Sequence, residues 1–395
     1  MSKKPAAWSL ESTIALFKKV PAPLKSLADV DAFEAAMAAL GNAETEKQQS
    51  AACEPVSAEI ARIILPTLNS KSLEALEETV FHGLRMLALM AEVEGTEVVI
   101  AATQKKTIAG SFWWQSVMDI YASGHPLAGP FFGAMAESLP QQFAGIALLD
   151  AANAACREHG LKAHPFDNAD GVKRLTKLLK LKDISEFSFA LSAAASLPFL
   201  APRRRTPLMT LAAKHKDAGV RMELAWAQAK LGKSIGAKTL AVAALHPHTS
   251  SRACDYLEEL GLEKKIPAEA LNPDFAAMAA MCDWLSHPNE FGEPPTSITL
   301  FDTRTIYWPP AGKKTRAWLF EYTYAKTKDR PKAETGVGIA GPILFAMFDE
   351  ATPNLTPERI YGLYCEMALQ WDEDKRAPKK RTGKKGWDLI AAAGK

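Results

Sequence analysis

The sequence predicts a mainly α protein: helical pairs stacked as an α-solenoid, followed by a small C-terminal α+β domain of antiparallel sheet plus helix. Three observations carry that prediction. From about Ser57 to Leu271 apolar residues recur at helical spacing between short breaks. Within that stretch one segment repeats without gaps 29 residues further on. From Thr296 the pattern changes to β-branched and aromatic residues alternating with polar ones, as in "TSITLFDTRTIYWPPAGKKTRAWLFEYTY".

Residues 1–54 read as an N-terminal helical segment. The opening "MSKKPAAWSLESTIALFKKVP" has an apolar run broken by Glu11 and closed by Lys18, unlike the uninterrupted core of a signal peptide. No window approaches about 18 uncharged apolar residues, so no membrane partner is expected. A hydrophobic content of 48% with 23% charged residues matches a soluble globular chain. The five scattered cysteines, Cys53, Cys156, Cys254, Cys282 and Cys365, form no CxxC pair. They suggest small buried hydrophobes in a reducing cytoplasm rather than a disulfide framework or a zinc site, and no cofactor is implied.

Residues 55–286 read as helical repeats. Ile60, Ile63 and Ile64 recur in "VSAEIARIILPTL"; Leu73, Leu76, Val80, Leu84 and Leu87 recur in "SLEALEETVFHGLRMLALMAEVEG". Pro66, Gly95, Gly110, Gly124, Pro130 and Pro140 are expected to punctuate the helices. "TLAAKHKDAGVRMELAWAQAKLG" (Thr210 to Gly232) aligns on "TLAVAALHPHTSSRACDYLEELG" (Thr239 to Gly261), each passing through a polar turn and ending in Leu-Gly. A single helical pair cannot bury both of its apolar faces, so a period near 30 residues implies stacked copies. With a V-R or S-R step into the second helix, in "DAGVRMELAWAQ" and "HTSSRACDYLEEL", this resembles the short class of HEAT-like repeats. The resemblance implies a scaffold and no particular chemistry.

Residues 287–374 read as the α+β domain. "HPNEFGEPPTS" is an entry loop; "SITLFDTRTIYW", "RAWLFEYTYAK" and "TGVGIAGPILFAMF" supply three or four strands, with turns at "PPAGKK" and "KDRPKAE". Trp318, Phe320, Tyr322 and Tyr324 fall on one face, and Ala317, Leu319, Glu321 and Thr323 on the other. Thr356, Pro357 and Glu358 start a helix across one face, with an expected stripe of Ile360, Leu363 or Tyr364, Met367 and Trp371. "AAMAAMCDWL" (Ala276 to Leu285) is expected to share a core with the sheet.

Residues 375–395 read as a basic, disordered tail. Eight Lys/Arg against Asp388 alone give it +7 of an overall +2, which leaves −5 on the rest. Trp387, Leu389 and Ile390 are its candidates for docking on the body.

The candidate interaction residues are Arg203, Arg204 and Arg205, expected in an inter-helix loop, and Lys379, Lys380, Arg381, Lys384 and Lys385 of the tail. His246 and His248 read as turn residues rather than metal ligands. Phe112, Trp113, Trp114, Asp119 and Tyr121 resemble the Trp-and-Asp arrangement of DNA glycosylases built on HEAT-like repeats. On one helix, however, Trp114 and Asp119 point about 140° apart, so the group reads as core aromatics. "GVGIAG" (Gly336 to Gly341) lacks the setting of a phosphate loop and reads as a glycine-bearing strand. No triad, HExxH or paired-carboxylate pattern emerges, so the expectation is a non-enzymatic scaffold binding another protein through its helical-repeat surface. The alternative is a nucleic-acid-binding or DNA base-repair protein of the HEAT-like glycosylase type, suggested by Arg203, Arg204 and Arg205, the basic tail and the Trp113/Trp114 pair, against which an acidic body argues.

Overall fold

The computed structural model describes residues 8–183, 186–287, 289–308, 311–328, 330–347, 354–373 and 387–388. The chain divides into two compact units, Met1–Ala227 and Gln228–Lys395. Among the described residues no helix is long and apolar enough to cross a membrane.

The first unit is helical. Its elements are α1 (Leu10–Lys19), α2 (Leu27–Leu40), α3 (Glu46–Thr67), α4 (Glu77–Met90), α5 (Val93–Thr103), α6 (Trp114–Ala122), α7 (Ala128–Glu137), α8 (Gln142–Glu158), α9 (Ala169–Leu178), α10 (Phe187–Ala195), α11 (Pro202–Ala213) and α12 (Ala218–Lys230), the last crossing the division. Short polar side chains open several of them: Ser26 and Thr45 form capping boxes with Asp29 and Gln48, and Asn168 accepts from the Gly171 N–H at 2.8 Å.

Three expected breaks fall inside helices instead. Pro130 is the third residue of α7, where a missing N–H costs nothing, and Pro66 lies in the last turn of α3. Gly95 is inside α5 because a Cβ there would come within 2.8 Å of Ser57 Oγ. Gly110, Gly124 and Pro140 do lie between helices.

Packing links helices in two rows. In one, α3 meets α5 and α5 meets α7; in the other, α4 meets α6, α6 meets α8 and α8 meets α10. The rows join through α3 with α4, α4 with α5 and α6 with α7. Large aromatics anchor the interior: Trp114 is fully buried, edge-on to Phe81 at 5.0 Å, and its Nε1–H donates to Ile108 O at 2.8 Å. Tyr121 stacks on Phe131 at 3.8 Å.

Two side-chain devices recur at the turns. In His125-Pro-Leu, His164-Pro-Phe and His215-Lys-Asp the His Nδ1 accepts the N–H two residues later. Arginines of later helices clamp the carbonyls left over where earlier ones end. Arg62 donates to Phe17 O at 2.9 Å, Arg174 to Leu139 O at 3.0 Å, and Arg221 to His215 O and Lys216 O, both at 2.6 Å. Arg221 belongs to the V-R step of the repeated segment.

In the second unit, α13 (Ser234–Ala243), α14 (Pro247–Glu259) and α15 (Pro273–Leu285) precede β1 (Ser297–Trp308), β2 (Lys313–Tyr324), β3 (Glu334–Ala340), β4 (Phe345–Met347) and α16 (Pro357–Glu373). The two Leu-Gly ends of the repeated segment have the same geometry. Gly232 (φ 75°) and Gly261 (φ 66°) are left-handed, and Lys233 N–H bonds Gln228 O at 2.9 Å as Leu262 N–H bonds Leu257 O at 2.7 Å. Each closes its helix with a glycine cap.

The sheet is antiparallel, in the order β1-β2-β3-β4. The sequence lays one helix across the sheet and expects Ala276 to Leu285 to share its core; the structure has a helix on each face. α15 puts Ala277, Met281 and Leu285 against Phe320, Tyr322 and Tyr324, the core expected to be shared with "AAMAAMCDWL". α16 covers Ile306, Trp308, Ala317, Leu319, Val337 and Ile339. The buried stripe of α16 is Ile360, Tyr361, Tyr364, Cys365 and Ala368, while Leu363 and Met367 are only half-buried. The side chain of Trp371 lies outside the described residues.

A β-bulge between Leu300 and Asp302 explains a second surprise. Ile298, Leu300, Ile306 and Trp308 are all even-numbered, yet the first two join the α15 core and the last two the α16 core. One extra residue inverts the alternation. Gly336 and Gly338 are strand residues, as expected for "GVGIAG". They let β3 sit close under its neighbours: a Cβ on Gly338 would lie 2.7 Å from Met281 Sδ, and one on Gly336 2.3 Å from the Tyr322 hydroxyl.

Candidate interaction surface

The loop between α5 and α6 turns two aromatic residues outward. Trp114 is drawn into the core at the start of α6, and Ser111 accepts from Trp113 N–H at 3.3 Å while its own hydroxyl donates to Glu77. The residues just before the anchor therefore emerge at the surface: Phe112 is 78% exposed and Trp113 45%. This corrects the sequence-based reading of the whole group as core, which holds for Trp114 and Tyr121 only. Phe112 packs edge-on against Phe143 of α8 at 4.6 Å.

Along α8, Phe143, Ile146 and Asp150 follow one another at three and four residues, all incompletely buried, so they share one side of the helix. On α6, Gln115 donates to the exposed Asp119 at 2.7 Å. Asp150 is pushed up to about 6, first by burial and further by the negative charge of Asp119; the Ser192 hydroxyl of α10, within hydrogen-bond reach, opposes the rise. Asn153 Nδ2 donates to Ser192 O at 2.9 Å, and the buried His164 lies behind it, its Nε2 3.1 Å from Asn153 Oδ1.

The α6–α8–α10 side thus carries an exposed aromatic pair, anchored on Phe143, and, two turns further along the same side of α8, Asp150 interacting with Asp119. Such a surface takes an apolar side chain and a cation together. Among the described residues no group of three His, Cys, Asp or Glu is placed to hold a metal ion.

The residues singled out from sequence fall elsewhere. Arg203, Arg204 and Arg205 are not in a loop: Pro202 supplies the fixed φ of a first helical position, and the triplet occupies the opening turn of α11. Arg204 pairs with Asp167 at 3.1 Å and also donates to its carbonyl. Arg205 donates to Leu200 O at 3.3 Å and Pro198 O at 3.5 Å, whereas Arg203 is exposed. Two of the three are thus holding turns. Lys379, Lys380, Arg381, Lys384 and Lys385 lie outside the described residues. His246 precedes α14 and His248 is its second residue, held below the usual histidine range by burial and by its neighbour His246.

Sequence reasoning missed the outward turn of Phe112 and Trp113. The available signal was "GSFWW", a Gly-Ser turn directly before three aromatics, of which a helix start can bury only some. Asp150 gave no local signal, since its neighbours come from two other helices.

Comparison with protein-family models, with curated proteins and with solved structures found no match.

Proposed function

We propose that the helical unit is a HEAT-like repeat scaffold that binds another protein across the side formed by α6, α8 and α10. The repeat reading is supported in this unit by the two rows of helices, and beyond it by the similar glycine caps at Gly232 and Gly261 that close the two copies of the repeated segment. The binding reading rests on one observation, the exposure of Phe112 and Trp113 on the side of the unit that also carries Asp119 and Asp150. Exposed aromatics are what binding hot spots are made of, and carboxylates at their edge select a basic partner. Nucleic acid is less well supported, because phosphates would meet the two carboxylates on this side and Arg204 and Arg205 are engaged internally.

The test is photo-crosslinking in cells that make the protein, with a benzophenone amino acid replacing Phe112 in one variant and Arg203 in another. The expected result is a discrete protein adduct from position 112 that disappears when Asp119→Lys and Asp150→Lys are added. Absence of any adduct there, or a nuclease-sensitive adduct at position 203, overturns the proposal.

A further inference from the structure

The C-terminal ends of α9 and α11 meet around a cavity of about 180 Å³. Its floor is aliphatic, from Leu179, Leu181 and Leu211, and its rim carries Lys180, Lys182, Lys214 and Lys216. All four lysines are exposed. Lysines often follow helix C-termini because they complement the dipole, and that accounts for one on each helix. Four around one apolar opening exceed it. The acids adjacent in sequence are Asp183 and Asp217, and Asp217 accepts from Val220 N–H at 2.9 Å, so its carboxylate is committed to the start of α12. Arg221 is likewise committed, to the His215 and Lys216 carbonyls. Counted with their charges, Lys180, Lys182, Lys214, Lys216 and Arg221 outnumber Asp183 and Asp217, so the rim keeps a net positive charge.

We propose that this cavity docks an acidic peptide segment of a partner protein, one aliphatic side chain entering the leucine floor while flanking carboxylates meet the lysines. A cationic rim around an apolar hole is complementary to that amphiphile. Single-stranded nucleic acid meets the charge but not the floor, because base binding uses exposed aromatic faces. The ring among the lining side chains, His215, is only 7% exposed and its Nδ1 is taken by the Asp217 N–H. This site is independent of the aromatic side on α6 and α8, and stands or falls separately.

The test is fluorescence anisotropy on the full chain with a labelled peptide in which one leucine is flanked on both sides by glutamates. Two further probes are the same peptide with alanine for leucine and a single-stranded oligonucleotide of equal charge. The leucine peptide should bind best, with about tenfold loss for the alanine version. The double variant Lys180→Glu, Lys214→Glu should lose about tenfold as well, with only a slight drop in thermal melting, since both side chains are at the surface and only their complement to the helix dipoles is lost. Failure of the leucine peptide to bind, affinity indifferent to the leucine or to the lysine reversal, or an oligonucleotide that binds as tightly as the peptide, overturns the site.

Discussion

The two units bury their aromatic residues by different routes. In the helical unit Trp114, Phe81, Tyr121 and Phe131 each belong to a helix and meet in pairs, Trp114 edge-on to Phe81 and Tyr121 stacked on Phe131, in a core that also holds many small residues such as Ala88, Ala122 and Ala147. In the sheet unit, one strand feeds two cores: Phe320, Tyr322 and Tyr324 point to α15 while Ala317 and Leu319 point to α16. A helix that is apolar on one side announces its core directly. A strand apolar on both sides does not say which face is covered, and here both are.

The largest effects should come from removing the anchors. Trp114→Ala deletes a fully buried ring and leaves Ile108 O without its donor, an expected loss of about 3–5 kcal/mol in urea unfolding. Phe320→Ala should cost a similar ~3–5 kcal/mol and Leu319→Ala about 2–5 kcal/mol, because each opens a different covered face. If either strand substitution proved nearly neutral, the sheet would have one working core and the contrast between the units would collapse.

The particular elements show how legible the molecule was in its sequence. The strand boundaries, the Thr356-Pro357 start of α16 and the Leu-Gly helix ends are local chemistry, and local chemistry is written in neighbouring residues. The inversion at the bulge and the exposure of Trp113 depend on partners further away along the chain. So does the capture of Arg204 by Asp167, 37 residues earlier. The candidate surface was therefore visible as a set of residue types but not as a place. The turns at "GHPL" and "AHPF" are as local as those at "LHPH" and "HPNEFGEPPTS", which do read as a turn and a loop.

Backbone approach in the two units sharpens the contrast further. At Gly171 in α9 an added Cβ would lie 2.2 Å from Phe166 O and 2.6 Å from its Cα, so rigid backbone must move. At Gly338 in β3 it would meet Met281 Sδ at 2.7 Å, on a flexible side chain. Gly171→Ala, which in an ordinary helix stabilises by about 1 kcal/mol, is expected to reverse sign and cost about 3 kcal/mol, with Gly338→Ala nearer 1 kcal/mol. Equal costs in thermal unfolding would show that the strand has no more room to yield than the helix.

An effect of about 2 kcal/mol is expected from acid in the helical unit. His164 is almost fully buried, its Nδ1 accepts the Phe166 N–H at 3.2 Å, and burial pulls its pKa down to about 3. The folded protein therefore holds it neutral while the unfolded chain protonates it below about pH 6.5. Stability from this residue is fully present above that pH and falls as the pH drops toward about 3, with ~2 kcal/mol lost between about pH 7 and 5. Asp150, raised to about 6, works in the opposite direction, losing its contribution as pH rises through that value. The measurement is consequently a difference: unfolding free energy against pH for the wild type and for His164→Gln, whose slope below pH ~6.5 should be shallower by one proton. Parallel slopes would mean that His164 titrates in the fold and that its Nδ1 bond is not retained.

The smallest effect concerns the C-terminal tail. Its Trp387 packs against the α16-side core of Ile306, Trp308, Leu319, Ile360 and Tyr361, while its basic residues from Lys379 to Lys385 lie outside the described residues. A partly buried indole at the rim of a formed core contributes on the order of 1 kcal/mol through apolar area removed from water. Trp387→Ala should lower the unfolding free energy by that amount. A chain ending at Asp374 should lose the same amount and no more, since charge at an exposed surface is screened and contributes little. A truncation that costs clearly more than the single substitution would show that further tail residues support the sheet unit, giving it a third layer of contacts that the helical unit lacks. A Trp387→Ala variant as stable as the wild type would show that the indole rests on the core without supporting it, and that the two faces of the sheet are closed by α15 and α16 alone.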